Sequence, residues 1–158
     1  MNDDVYFKLK EYALGLLAQR SYTCAKLREK MTQKLRRTGG DETMIEPLIT
    51  RFRELGYLND LDYCRRFVAE RSRMRPRGKR LLIQELRKKG IINEVIDQFW
   101  MENESTFNEL GAARRVCKKK LQQLDGRDLD PRKKRERLYR HLASKGFNGS
   151  IILQVLED

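Results

Sequence analysis

Apolar residues fall at helical spacing along almost the whole chain. Val5, Leu9, Tyr12, Ala13, Leu16 and Leu17 define a first stripe over residues 5–19, and Ser21-Tyr22-Thr23 supplies a break with capping chemistry. Leu27, Met31 and Leu35 recur every fourth position through 25–37, and Gly39-Gly40 ends that run. The next helix is expected to open near Thr43, where Thr43-x-x-Glu46 fits a capping box, with Met44, Ile45, Leu48, Ile49, Phe52 and Leu55 inward. Pro47 restricts the start of that helix, since deeper inside it would remove a hydrogen bond and clash. Gly56 closes the helix, and Asn59 or Asp60 caps another that carries Tyr63, Phe67 and Val68 on one face. Leu82, Ile83 and Leu86 mark a further inward stripe that stops at Gly90. Sustained period-2 alternation occurs nowhere, so the chain is expected to be all-α.

The pattern repeats. Counted from Gly39, Gly90 and Gly146, the positions eight residues earlier are Met31, Leu82 and Leu138, and those four earlier are Leu35, Leu86 and Leu142. Five and six residues later stand Met44-Ile45, Val95-Ile96 and Ile151-Ile152, and nine and ten later Leu48-Ile49, Phe99-Trp100 and Val155-Leu156. Every position in each set is apolar. The spacing predicts three tandem three-helix repeats over residues 1–57, 58–103 and 104–158, with the 125–130 turn lengthening the third. Units of this size bury little surface alone, so they are expected to lean on their neighbours in an elongated, curved array. Leu82, Leu86, Val95 and Ile96 are expected to hold the middle of it, with Phe99 and Trp100 in the core or at a junction.

Charge adds a binder to the readings, beside that of a well-solvated helical scaffold. The chain has 158 residues with Lys plus Arg at 35 against Asp plus Glu at 23, a net charge of +12. An acidic partner follows, nucleic acid or a protein carrying it. Arg71, Arg73, Arg75, Arg77, Lys79 and Arg80 place six cations on ten residues between two helices. Such a corner grips phosphates or carboxylates without reading sequence, in a salt-dependent way. Arg114-Arg115 with Lys118-Lys119-Lys120, and residues 132–137, are further basic runs. Arg36-Arg37, Arg87-Lys88-Lys89 and Lys145 lie near helix C-termini, where they also complement the macrodipole.

Bond-making chemistry finds no support in the sequence. His141 is the sole histidine, and Cys24, Cys64 and Cys117 are scattered, the pattern of reduced residues in a cytoplasmic protein. No zinc-ligand spacing occurs, and Gly78-Lys79-Arg80 lacks the rest of a phosphate loop. Asp60 and Asp62 read as helix caps before metal ligands. The longest apolar run, residues 13–18, is far short of the roughly 20 residues of a membrane span. The expectations are no enzyme activity, no cofactor, no metal and no membrane anchor, in a soluble monomer.

Gly56-Tyr57-Leu58-Asn59-Asp60, with Tyr63, Phe67-Val68 and Arg71 after it, resembles the "GYLDD…FA…V…R" signature of the RecX regulatory proteins. Gln84-Glu85-Leu86-Arg87-Lys88-Lys89-Gly90-Ile91 is similar to their "RQELRQKGI" segment, and residues 21–35 to their "S…ELRRKL" stretch. Gly146-Phe147 and residues 151–156 resemble the weaker third unit. Asn59 stands where Asp is usual, and Arg75-Pro76-Arg77-Gly78 replaces a more glycine-rich turn. The resemblance implies a regulator of the RecA recombinase, acting in DNA repair, homologous recombination and the SOS response. Such a protein binds the groove of the RecA–DNA filament and inhibits ATPase, strand exchange and filament growth. On that reading Arg71, Arg73, Arg77, Lys79, Arg80, Arg87 and Lys88 are the candidate contacts, extended by Arg115, Lys118 and Lys119. Weak non-specific DNA binding is expected beside the filament contact, and two readings compete: a direct DNA-binding module of helix-turn-helix type, and an inert scaffold whose surface charge serves only solubility.

Overall fold

The computed structural model describes residues 2–158. Among them lie nine α-helices, one 3₁₀ turn and no strand. The order is α1 (Asn2–Gln19), α2 (Cys24–Thr38), the 3₁₀ turn (Glu42–Met44), α3 (Ile45–Glu54), α4 (Asp60–Met74), α5 (Lys79–Lys88), α6 (Asn93–Asn103), α7 (Glu109–Leu124), α8 (Pro131–Ser144) and α9 (Gly149–Glu157). The all-α reading of the sequence holds.

The repeat positions behave alike in the fold. Gly39, Gly90 and Gly146, at the ends of α2, α5 and α8, take φ of 77°, 80° and 86°, the left-handed conformation that lets the chain leave a helix. Met31, Leu82 and Leu138 are buried, as are Leu35, Leu86 and Leu142. Later in each repeat Ile45, Ile96 and Ile152 are buried, followed by Leu48-Ile49, Phe99-Trp100 and Val155. Val95, Ile151 and Leu156 are only half-buried, so the core expectation for Val95 is corrected. Each lies at the edge of its helix's apolar stripe, where the neighbouring position takes the inward place.

The capping box expected at Thr43 does not form. Asp41 accepts from the Thr43 backbone N–H and opens the 3₁₀ turn, while Met44 precedes α3 without a side-chain cap bond. Glu46 pairs instead with Arg28 of α2, which holds its carboxyl below the usual range. Asn59 does cap α4, its Oδ1 accepting from the Asp62 N–H at 3.0 Å.

By internal packing the described chain falls into two compact units, residues 1–64 with 87–98 and residues 65–86 with 99–158. In the first, Leu9, Ala13, Leu27, Met31, Leu35, Leu48, Ile49 and Phe52 form the core. In the second, Ala113, Cys117, Leu138, Leu142, Phe147 and Ile152 do so.

Each unit contains the same joint. In the first, Thr23 Oγ1 accepts from the Lys26 N–H at 3.1 Å, capping α2, and donates to the Lys89 carbonyl at 2.6 Å. Cys24, the first residue of α2, donates its N–H to Asp60 Oδ1 at 3.0 Å, and Gly90 lies against Ala25. In the second, the Gly78 N–H donates to the Lys145 carbonyl at 2.8 Å, and Lys79, the first residue of α5, donates to Glu109 Oε1 at 2.9 Å. Gly146 there lies against Leu81. So α2 and α5 each begin against the glycine turn that ends α5 and α8 respectively. The opening acid of α4 or α7 satisfies an N–H that the helix itself leaves orphaned.

Asp60 is thus a cap, but for α2 and not for its own helix. Asp60→Ala should lower unfolding free energy by about 1 kcal/mol in a denaturant titration. A loss below a few tenths would mean water replaces the carboxylate without cost. Burial, with the Asp60 carboxylate second, pushes the Cys24 thiol up to about 11, so its reactive thiolate is scarce at neutral pH.

Candidate cationic interface

Pro76 disfavours the helical conformation at Arg75 and so ends α4 at Met74, while α5 starts at Lys79, which leaves residues 75–78 between helices. Two of its cations turn inward. Glu85 of α5 forms an ion pair with Arg77 and stands 3.6 Å from Arg71, with the three side chains 18%, 20% and 30% exposed. Arg71 also lies over the Phe67 ring, 4.9 Å from its centroid. Burial, then Arg71 and Arg75, push the Arg77 guanidinium below its ordinary value. These two arginines are spent on holding the corner against α5.

Lys79 is also engaged. Its Nζ is 2.6 Å from Glu104 Oε1 and 5.1 Å from the centroid of Trp100, whose ring packs edge-on between Phe99 and Phe107. Trp100 is therefore a core residue, only 4% exposed. Arg80 is exposed and gives one N–H to the Ala143 carbonyl at 3.0 Å. Arg115 of α7, likewise exposed, donates to the Ser72 carbonyl at 2.9 Å, fastening α7 beside the end of α4.

Arg73, Lys118 and Lys119 project to solvent from the same unit. Arg87 and Lys88 are exposed and belong to the other unit, where Arg87 Nε donates to Asn93 Oδ1 at 2.9 Å. Of the sequence candidates, the structure therefore brings Arg71, Arg73, Arg77, Lys79, Arg80, Arg115, Lys118 and Lys119 into one unit. It divides them into structural and solvent-facing sets.

Sequence reasoning missed a cleft in that unit. It has a volume of about 390 Å³, and its walls are Met74, Arg75, Pro76, Arg77, Val116, Lys119, Lys120, Gln123, His141 and Lys145. No acid lines it. Burial first, then Lys120 and Lys145, lower the His141 pKa from its ordinary value. Lys145 could have been flagged by its place one residue before a repeat glycine, as Lys89 is before Gly90.

Residues 59–98 match the family model of the second three-helix domain of RecX, and residues 108–156 that of its third. A regulatory protein RecX of Prosthecochloris aestuarii is 32% identical over all of this chain and 97% of its own. The chain belongs to the RecX family. A RecX of Trichlorobacter lovleyi is 38% identical over 92% of this chain and 91% of its own. The crystal structure of RecX from Lactobacillus salivarius superposes with a TM-score of 0.84, covering 98% of this chain and 96% of that one at 20% identity. A second RecX crystal structure gives 0.81 over 99% of this chain and 75% of that chain. The RecX fold is shared, and the protein is a regulatory one by family. Among its described residues no helix is long and apolar enough to cross a membrane.

Proposed function

We propose that this RecX-family protein is a cytoplasmic inhibitor of the RecA recombinase, binding the RecA–DNA filament in its groove and restraining ATP hydrolysis, strand exchange and growth. Family membership supports the regulatory role. The observation that carries the mode of action is the gathering of solvent-facing cations from α4, the corner and α7 in one unit, with the inward cations already matched by Glu85 and Glu104. Surplus charge of this kind is attracted by an anionic filament and is screened by salt.

In this reading Arg73, Arg80, Arg115, Lys118 and Lys119 meet the filament directly. Arg71, Arg77 and Lys79 shape the surface from within. Arg87 and Lys88 are proposed as contacts of the other unit. The protein acts without a bond-making step of its own, by bridging recombinase protomers and barring the motions that turnover requires.

Sedimentation with recombinase-coated DNA against naked DNA tests this. The protein should travel with the coated strand, and Arg73→Glu/Lys118→Glu/Lys119→Glu should weaken that association on the order of tenfold while leaving the melting temperature unchanged. Tight, sequence-dependent binding to naked duplex would favour the direct DNA-binding reading instead.

A further inference from the structure

The cleft beside the arginine corner is built from three separate elements. Arg75 and Arg77 come from the α4–α5 connection, Lys119 and Lys120 from α7, and His141 and Lys145 from α8 and its end. The elements are locked together by the Gly78-to-Lys145 and Arg115-to-Ser72 hydrogen bonds at 2.8 and 2.9 Å. Arg77 is answered by Glu85. Arg75, Lys119, Lys120 and Lys145 have no carboxylate partner among the described residues. Four unmatched cations and a histidine thus face one space with no acid in its walls.

Like charges held this way repel one another, and the macrodipole at the end of α8 answers only Lys145 among them. An anion relieves the repulsion. The volume of about 390 Å³ is far larger than a carboxylate and lies within the range of pockets that take a nucleotide-sized ligand. Met74, Pro76 and Val116 give it an apolar wall against which a sugar or base can lie. A single carboxylate would cancel one charge of four and leave that wall bare. Successive phosphates, with a sugar between them, match both the charge and the lining.

We infer that this cleft is a phosphate-binding site, holding the oxyanions of a nucleic-acid strand between Arg75, Lys119, Lys120 and Lys145, with His141 as a further donor. The site deepens the filament reading by naming the part of the protein that touches nucleic acid. His141 faces Lys119 and Lys120 from α7, Arg75 and Arg77 from the connection and Lys145 at its own helix end, and no acid among the cleft walls. A bound phosphate offsets those cations and favours the imidazolium. Binding therefore tightens as pH falls through the histidine range.

Because His141 is the sole histidine, its ring resonances in the untagged full chain report on the cleft alone. The probes are a short oligothymidylate, a nucleoside triphosphate and a glutamate-rich peptide of equal charge, each titrated at low salt. The oligothymidylate should raise the His141 pKa, and Lys119→Glu/Lys120→Glu should weaken it by about tenfold or more. The exposed pair Arg132→Glu/Lys133→Glu, with the same change in net charge, should alter it less than about threefold. Stronger binding of the triphosphate would assign the phosphate site to a free nucleotide instead of a strand. An unmoved His141 at saturation, equal effects of the two variant pairs, or a peptide that binds as tightly would each overturn the proposal. Recombinase is absent from this sample, so failure here is distinct from failure to inhibit the filament.

Discussion

Gly78→Ala should destabilise the protein by about 3 kcal/mol, the upper end of overpacking costs. A Cβ at Gly78 would stand 2.2 Å from both the carbonyl carbon and oxygen of Gly146 and 2.3 Å from the Phe147 nitrogen. All three are backbone atoms, so no rotamer change relieves the clash. The Gly78 N–H also donates to the Lys145 carbonyl, so the new methyl must push apart two segments joined by a hydrogen bond. Gly39→Ala is the matched comparison. Gly39 has φ of 77° but nothing within 4 Å of its Cβ position, so it bears only left-handed strain, about 1–2 kcal/mol. Urea titrations of the two variants should rank Gly78→Ala as clearly worse. Equal losses would mean that the segments holding Gly78 and Gly146 do not meet as closely as described.

Glu85→Ala is the second large effect. It removes the carboxylate shared by Arg71 and Arg77 and leaves two partly buried guanidiniums facing each other. Breaking a buried pair costs about 3–5 kcal/mol, and because these side chains retain some exposure the expectation here is about 2–3. The loss should shrink in 1 M salt, where repulsion between the arginines is screened. A loss under about 0.5 kcal/mol, insensitive to salt, would show that the pair is only a solvated surface contact.

The helices were legible because their signals are local. Leu35, Leu82, Leu86, Leu138 and Leu142, at fixed offsets from Gly39, Gly90 and Gly146, reach the interior as their spacing requires, and each glycine takes the left-handed turn. The capping box failed for a local reason too: Asp41, two residues earlier, competes for the Thr43 N–H and wins. What spacing could not reveal depends on segments distant in sequence. Asp60 is 36 residues from the Cys24 N–H that it accepts, and Glu109 is 30 from Lys79. The six-cation corner was visible as composition, but Glu85 reads simply as one more helical acid until the fold sets it between Arg71 and Arg77. Lys145 and His141 joined the cleft by the same route, from the far end of α8.

The proposed inhibition acts on the recombinase filament through charge and shape. The most direct measurement is DNA-dependent ATP hydrolysis by RecA with the purified chain titrated in at constant DNA and salt. The account predicts a saturable fall in hydrolysis that weakens as salt rises and that Arg73→Glu/Lys118→Glu/Lys119→Glu shifts to higher concentration. Hydrolysis that stays constant through a molar excess of the protein would contradict it.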